Sequence, residues 1–164
     1  MFEYRGFYRY FLTFCTAGRC PVFFGHEAVG AILSLIRQCA EREQFALVAH
    51  CFMPDHAHLL VRGLSPASDL RRCVHDAKQR SGYYFRRRTG RMLWQAGYYD
   101  HVLRDEEESL PVVRYIMENP VRAGLATGMG EYPFCSSDEY STEAVIECLQ
   151  LWTPRDRFED RCAE

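Results

Sequence analysis

The chain has 164 residues, of which 48% are hydrophobic and 26% are charged, and its formal net charge is -2. These values are close to globular averages, so they exclude a disordered or fibrous chain, and the length suits a single domain. No segment resembles a signal peptide or reaches the length of a membrane span. We therefore expect a cytoplasmic protein without a membrane partner.

Basic and acidic side chains are unevenly distributed along the chain. Residues 131–164 carry nine acidic residues against three arginines, which leaves residues 1–130 with 17 basic and 13 acidic side chains. All basic residues except Lys78 are arginines, and a planar guanidinium suits bidentate contact with phosphate and stacking on bases. The first 130 residues thus favour a nucleic-acid partner.

The eight cysteines include no CxxC pair and no zinc-finger spacing. Several of them lie within apolar runs. We interpret them as reduced core thiols rather than as a disulfide framework.

The first part of the chain alternates between strand-like and helix-like patterns. Aromatic and β-branched residues over 7–16 predict a first strand, and apolar residues at helical spacing over 26–44 predict a first helix. Two further strand-like runs, 45–52 and 56–62, are joined by a Met-Pro-Asp turn at 53–55. They predict a hairpin.

Residues 67–88 predict a basic second helix with an N-terminal cap at Ser65 or Ser68. A fourth strand is predicted over 97–103. A third helix is predicted after this strand, so the order of elements is β-α-β-β-α-β-α. This order predicts an α+β fold, a ferredoxin-like antiparallel sheet with helices packed on it.

The predicted third helix opens in an acidic run at 105–108. Pro111 must lie in its first turn or mark its true start, because proline is tolerated there. We expect this helix to end at Asn119, since Pro120 lacks the N–H that a helix interior requires.

The hairpin's second strand carries two histidines two residues apart, His56 and His58. Successive side chains in a strand point to opposite faces, so both imidazoles share one face while Ala57 points to the core. A rigid strand holding two imidazoles side by side is a sound way to bind a divalent cation. Two histidines on one face of a strand can also arise by chance.

Further ligands could come from the third helix. Tyr115 and Asn119 are four residues apart and share one helical face, so a helix over the histidines would bring a phenol and an amide oxygen there. Glu118 is a competing candidate on a neighbouring face. Without other information, a single tyrosine is more often structural than nucleophilic.

A set of basic, aromatic and amide side chains is predicted to contact DNA. Arginines and the lysine of the second helix suit the phosphate backbone, and aromatic side chains suit unpaired bases. A histidine in this set, His101, could instead be structural. The residues are Arg71, Arg72, Lys78, Arg80, Trp94, Gln95, Tyr98, Tyr99, His101 and Arg104.

Four segments of the chain carry a combined pattern. They are MPDHAHLLV at 53–61, LWQAGYYDHVLR at 93–104, YIMENPVRAGL at 115–125 and YPFCSS at 132–137. In this order they resemble the transposases of the IS200-like group, particularly the REP-associated tyrosine transposases. The resemblance implies a ferredoxin-like HUH endonuclease fold over residues 1–140, with residues 141–164 as an acidic extension of unknown role.

The same resemblance implies an activity and a set of functional residues. His56 and His58 match the metal-binding pair of the family, Tyr115 its nucleophile, and Asn119 a third ligand. The implied reaction is cleavage and rejoining of single-stranded DNA at hairpin or palindromic (REP-like) sites through a covalent 5′-phosphotyrosine, with Mg²⁺ or Mn²⁺ as cofactor. The protein would act as a monomer or a homodimer.

Two other functions stay open at this point. One is a metal-dependent phosphohydrolase in which His56, His58 and a carboxylate such as Asp55 or Asp100 activate water and Tyr115 is structural. The other is a domesticated protein that binds hairpins without cleaving them.

Overall fold

The computed structural model describes residues 3–104 and 109–148. This part of the chain forms five strands and four α-helices. In chain order they are β1 (Arg9–Cys15), α1 (His26–Arg42), β2 (Phe45–Met53), β3 (His56–Gly63), α2 (Leu70–Thr89), β4 (Tyr99–Leu103), α3 (Ser109–Arg122), β5 (Cys135–Ser137) and α4 (Thr142–Glu147). The acidic run 105–108, predicted to open the third helix, lies outside the described residues.

The strands form one antiparallel sheet in the order β4-β1-β3-β2-β5. The first four strands have the connectivity of a ferredoxin-like fold, in which a hairpin partner is inserted between two strands joined by a helix. The predicted fold class is thereby confirmed. The fifth strand, β5, was not predicted, and it pairs with the outer edge of β2.

Helices cover both faces of this sheet. One face packs against α1 and α2, and residues such as Leu12, Phe14 and Leu59 belong to that core. The opposite face packs against α3 and α4 and includes Phe11 and Leu60. Because alternate side chains of β1 and β3 enter different cores, both strands are buried almost completely, including the polar residues Thr13, His56 and His58.

The second helix begins at Leu70, three residues later than predicted, and neither Ser65 nor Ser68 caps it. Asp69 is the cap, and its side chain accepts a hydrogen bond from the backbone N–H of Arg72 (3.1 Å). The Ser68 hydroxyl is used elsewhere, since it donates to the carbonyl of Gln44 (2.7 Å).

The third helix continues through Pro120 to Arg122, so the predicted end at Asn119 is wrong. Proline removes the N–H that would bond the carbonyl four residues earlier, that of Ile116. Here this carbonyl accepts a hydrogen bond from the Cys135 thiol instead (3.7 Å). Pro111 lies in the first turn, as predicted.

The prediction of reduced thiols needs one correction. Cys15 is disulfide-bonded, whereas the other six described cysteines are free. None of the described helices combines the length and the apolar character needed to span a bilayer.

A buried histidine, His50 on β2, makes the stability of this fold depend on pH. Its side chain is almost inaccessible, and its Nδ1 has no hydrogen-bond partner among the described residues. Burial and the nearby Arg37 guanidinium lower its pKa to about 4, although the Asp138 carboxylate opposes this. Arg37 itself makes two hydrogen bonds to Asp138, which fixes both charges beside the imidazole.

The folded protein therefore resists protonation of His50 that the unfolded chain allows. Below the unfolded pKa of about 6.5 the unfolded state binds more protons, so stability falls with decreasing pH until about pH 4. The pKa of Asp138 is lowered by its hydrogen bonds to Arg37, so this carboxyl contributes stability that is lost only below pH 3.8. Acidification therefore removes the contribution of His50 to stability at a higher pH than that of Asp138.

We expect the free energy of unfolding to fall by up to about 3 kcal/mol between pH 6.5 and 4. Urea denaturation at a series of pH values measures this. His50→Phe, which cannot be protonated, should flatten the profile above pH 4.5, whereas His75→Asn, which replaces a histidine exposed on α2, should not. An unchanged slope in His50→Phe would contradict the assignment.

Candidate active site

Two buried histidines of β3 form the centre of the candidate site. His56 and His58 are 7% and 1% exposed, and their ring centroids are 4.7 Å apart. Both lie on the face of the sheet that α3 covers, because Ala57 between them belongs to the opposite core. The structure thus places the pair side by side, as the strand alternation predicts.

Each ring is oriented by a hydrogen bond at Nδ1. Nδ1 of His58 is 2.9 Å from the Thr13 hydroxyl, and Nδ1 of His56 is 2.7 Å from a carboxylate oxygen of Asp55. The other oxygen of Asp55 is 3.0 Å from Nε of Arg19. Partners of this kind fix the tautomer and the ring orientation of metal-binding histidines.

The second ring nitrogen, Nε2, is the one left to bind a ligand. In His56 this atom is buried and has no hydrogen-bond partner among the described residues. A buried imidazole nitrogen without a partner is costly, and a bound cation would satisfy it. Asp55 is the residue that the sequence interpretation assigned only to an alternative function, and the structure makes it the group that orients His56.

The helix α3 brings Tyr115 to the histidines. The half-buried phenol ring lies edge-on to His58, with ring centroids 5.9 Å apart, and edge-on to Phe11 at 5.7 Å. Asn119 lies one turn further on, and its Nδ2 is 3.4 Å from the carbonyl of Tyr115. This contact engages the amide nitrogen and leaves the Oδ1 oxygen for a cation.

Four of these side chains, those of Asp55, His56, Tyr115 and Asn119, line one open cavity of about 490 Å³. Asp55 and His56 form one side of it, and Tyr115 and Asn119 form the other. The cavity is wide enough for part of a nucleotide chain as well as for an ion.

Arg122 is a residue of this cavity that the sequence interpretation missed. Its guanidinium carbon lies 4.4 Å from the centroid of the Tyr115 ring, within the range of a cation–π contact. Seven residues separate the two, which is close to two full helical turns, so they share a face only if the helix passes Pro120. The spacing of seven residues could have indicated that Arg122 lies near Tyr115. The sequence interpretation did not use it because it ended the helix before Pro120.

Two competing carboxylates lie elsewhere. Glu118 is hydrogen-bonded to Arg114 one turn earlier on α3 (2.8 Å). Asp100 pairs with Leu12 on the neighbouring strand and so faces the α1 and α2 side of the sheet, away from His56.

The donor set fits a divalent cation that prefers nitrogen and oxygen ligands. It consists of two imidazoles and the amide oxygen of Asn119, and a cation there would complete its shell with water or phosphate oxygens. Within the described ranges, no three His, Cys, Asp or Glu residues are grouped to hold a metal. A cation bound here would therefore need the Asn119 amide as its third protein ligand.

The residues predicted to contact DNA fall into several regions. Tyr99 and His101 lie on β4 on the side of the sheet that faces α3, since Tyr99 packs edge-on to Phe11. A separate groove includes Arg71, Lys78, Gln95 and Tyr98.

Three of the predicted arginines lie outside the groove. Arg72 pairs with Glu43 (3.5 Å), and Arg80 is half-buried beside Cys39. The exposed Arg104 accepts a hydrogen bond from Arg9 at its carbonyl.

Trp94 does not form the exposed platform that was expected of it. Its ring is 6% exposed and packs against Phe14 and Phe23, and its indole N–H donates to the Ser81 hydroxyl (2.9 Å). The ring is therefore almost entirely enclosed, and only a small part of it borders a cavity. Lys78 is also engaged, because its ammonium group donates to the carbonyls of Gln95, Ala96 and Gly97.

Comparison with known proteins agrees with this architecture. A protein of Haemophilus influenzae assigned to the REP-associated tyrosine transposases is 26% identical over 145 residues, which cover 77% of this chain and 78% of that protein. The structure of a REP-associated tyrosine transposase bound to a REP hairpin superposes with a TM-score of 0.68 at 17% identity, covering 88% of this chain and 93% of that one.

A second crystal structure, of a protein assigned as a transposase from Deinococcus radiodurans, has a TM-score of 0.52 at 24% identity, covering 73% of this chain and 95% of that one. These two structures support the fold. The family model for IS200-like transposases matches residues 7–119, which include the histidine pair, Tyr115 and Asn119. The chain therefore belongs to the IS200-like transposase family.

Proposed function

We propose that this protein is a REP-associated transposase that cleaves and rejoins single-stranded DNA beside hairpin-forming repeats. Cleavage would produce a covalent 5′-phosphotyrosine at Tyr115, with Mg²⁺ or Mn²⁺ bound by His56, His58 and Asn119. The similarity to a REP-associated protein and to one bound to a REP hairpin supports the choice of substrate.

One observation supports this proposal more than any other. Tyr115 lies edge-on to His58 in the same chain, and its cavity is shared with His56 and Asn119. A nucleophile and a candidate cation site are thus adjacent without help from a second subunit. This arrangement favours action in cis, so a monomer would suffice.

The chemistry asked of Tyr115 is an in-line displacement at phosphorus. The phenol oxygen forms a bond to the phosphorus while the bond from phosphorus to the 3′ oxygen breaks. The phenol loses its proton, and the departing 3′ oxygen gains one. Attack of a 3′-OH on the phosphotyrosine reverses these steps and restores the free tyrosine, so rejoining consumes no nucleoside triphosphate.

A divalent cation, when bound, would polarise the scissile phosphate and neutralise charge on its oxygens. The protein's own contribution is geometric. Thr13 and Asp55 hold the two imidazoles with Nε2 directed to a ligand, and Arg19 holds Asp55. The buried position of both rings limits their motion.

Arg122 would supply the positive charge next to the nucleophile. A phenolate and a phosphate are both anionic, so their approach is opposed unless a cation is close to both. The guanidinium over the Tyr115 ring occupies that position, and it makes no side-chain hydrogen bond or ion pair with another described residue. Its donors therefore remain for phosphate oxygens.

The hydrolase alternative receives less support from the geometry. Both oxygens of Asp55 are engaged, one by His56 and one by Arg19, and Asp100 is on the opposite face of the sheet. Among the described residues that line the cavity, Asp55 is the only Asp or Glu. Hairpin binding without cleavage is the remaining alternative, and an assay for a covalent adduct at Tyr115 distinguishes it from the proposed function.

Replacing Tyr115 by phenylalanine should abolish adduct formation. Labelled single-stranded DNA with a hairpin is incubated with the protein and Mn²⁺, and SDS-resistant protein–DNA complexes are counted on a gel. Tyr140→Phe, which alters a partly buried tyrosine away from the cavity, is the matched control and should keep the adduct. An adduct of wild-type yield in Tyr115→Phe would refute the nucleophile, and none in wild type would favour binding alone.

Replacing Asp55 by asparagine should weaken Mn²⁺ binding by roughly 10–100-fold, because the group that orients His56 loses its charge. Calorimetric titration without DNA measures the affinity directly. Asp76→Asn removes a carboxylate that also neighbours a histidine, His75 on α2, and should leave the affinity unchanged. Equal affinities in the two variants would mean that Asp55 has no role in binding the cation.

Replacing Arg122 by glutamine should slow adduct formation by about 100-fold at saturating DNA, as loss of a preorganised charge in an active site does. Single-turnover kinetics give the rate. Arg122→Lys keeps the charge but not the planar group and should lie between wild type and Arg122→Gln. A rate in Arg122→Gln within a factor of two of wild type would restrict Arg122 to packing.

A further inference from the structure

A second cavity, of about 710 Å³, lies on the opposite side of the sheet from Tyr115. We call it the α2 groove. One wall is the outer face of α2, and the other is the segment 92–98 that leads into β4. Gln79, Tyr83 and Arg86 are spaced three to four residues apart, so they lie along one helical face beside it.

The side chains of the α2 groove have the chemistry of a single-strand binding surface. Arg71, Lys78 and Arg86 line it, and none of the described residues that line it is Asp or Glu. Tyr83 and Met92 are 67% and 70% exposed. Cations suit a phosphodiester chain, and exposed aromatic and thioether groups suit the faces of unpaired bases.

The floor of the groove is kept open by Gly82 in the middle of α2. A glycine there costs a helix about 1 kcal/mol relative to alanine. Packing does not require it, because an added Cβ would only make an ordinary contact with the Trp94 ring at 3.8 Å. The absent side chain leaves space above Trp94, which lines the groove.

The far wall is already ordered without a ligand. The Lys78 ammonium group donates to the carbonyls of Gln95 (2.7 Å), Ala96 (3.3 Å) and Gly97, so it ties α2 to the segment opposite. A preformed cleft binds with a smaller loss of conformational entropy than a mobile one.

The groove is also close to the candidate active site along the end of the sheet. His56 pairs with Cys15 on β1, and the carbonyl of Cys15 accepts a hydrogen bond from the N–H of Gln95 (2.9 Å). Two strand spacings, roughly 10 Å, therefore separate the backbone of the metal-binding residue from that of the groove wall. A DNA strand of a few nucleotides can bridge this distance.

We propose that the α2 groove binds the unpaired nucleotides that adjoin the hairpin on the strand cleaved by Tyr115, stacking a base on Tyr83 and holding a phosphate with Arg86. The proposal rests on the proposed function, because it takes single-stranded DNA as the substrate. It adds a second contact region, on the opposite side of the sheet. This region would distinguish a hairpin with unpaired flanking nucleotides (a tailed hairpin) from one without them (a blunt hairpin).

The test compares the affinity for two DNA hairpins, one blunt and one with an unpaired extension of about six nucleotides on either side. Fluorescence anisotropy with the full chain gives both dissociation constants. We expect wild type to bind the tailed hairpin roughly ten-fold more tightly, as expected for one stacked base and its phosphate. The ratio of the two constants cancels contacts to the duplex.

Matched variants locate the effect. Tyr83→Ala and Arg86→Gln should each bring the ratio close to one. Phe24→Ala removes an equally exposed ring elsewhere (67%), and Arg87→Gln removes the neighbouring arginine, which does not line the groove. Both controls should keep the wild-type ratio.

A second measurement does not depend on these variants. Tails carrying a photoreactive base at each position are crosslinked to wild type, and the crosslinked peptides are identified by mass spectrometry. Crosslinks to residues 79–86 or 92–98 are expected, and crosslinks confined to other surfaces would overturn the proposal.

The outcomes separate the two proposals. A wild type that binds both hairpins equally overturns the α2 groove but leaves the proposed function intact. A wild type that binds neither hairpin overturns both, and tighter binding of a ribonucleotide tail overturns the assignment to DNA. Loss of the ratio in Phe24→Ala or Arg87→Gln would likewise overturn the location.

Discussion

The packing of α3 on the sheet is the contact on which the candidate site depends. Val112, Val113, Ile116 and Met117 are buried against the face that carries Phe11 and Leu60. Each such side chain contributes about 1.5–3 kcal/mol when fully buried. Together they outweigh the roughly 1–3 kcal/mol that one buried polar atom without a hydrogen-bond partner costs, and Nε2 of His56 is such an atom among the described residues. The fold can therefore keep two histidines enclosed beneath this helix.

Once this face of α3 is fixed, the helical repeat decides which side chains reach the histidines. Tyr115 borders the apolar face, so its ring is half-buried and directed toward His58. Asn119 and Arg122 follow at four and seven residues and line the same cavity. The candidate nucleophile, the candidate amide ligand and the Arg122 guanidinium thus lie on one helix, while the second strand of the hairpin carries the two imidazoles.

The sequence was sufficient for the parts of this arrangement that depend on local periodicity. The alternation along β3 put His56 and His58 on one face, and the order of elements predicted the sheet. It was insufficient where a distant group satisfies a local requirement. Pro120 looked like a helix end because it lacks an N–H, but the helix continues, and the carbonyl of Ile116 that Pro120 leaves without its donor accepts from the thiol of Cys135 on β5. The misplaced end then concealed Arg122.

Trp94 was misassigned for a related reason. In the sequence it stands among aromatic and amide residues that suit unpaired bases, and only the packed structure shows that Ser81 and Phe14 engage it. Its neighbours Gln95 and Tyr98 do line a cavity. Sequence composition thus identified the segment, but the direction of each side chain was set by tertiary contacts that no local pattern encodes.

The turn at 53–55 shows how the two cavities can belong to one rigid unit. The carbonyl of Asp55 accepts hydrogen bonds from the N–H and the hydroxyl of Thr16, while its carboxylate orients His56. Thr16 in turn forms a bridge with Trp94 at the floor of the α2 groove. The hydrogen bonds at Asp55 and the bridge from Thr16 to Trp94 thus form a continuous connection between the groove wall and the turn that orients His56. If the α2 groove binds a DNA strand, as proposed above, this connection would link its occupancy to the orientation of His56, a candidate metal ligand.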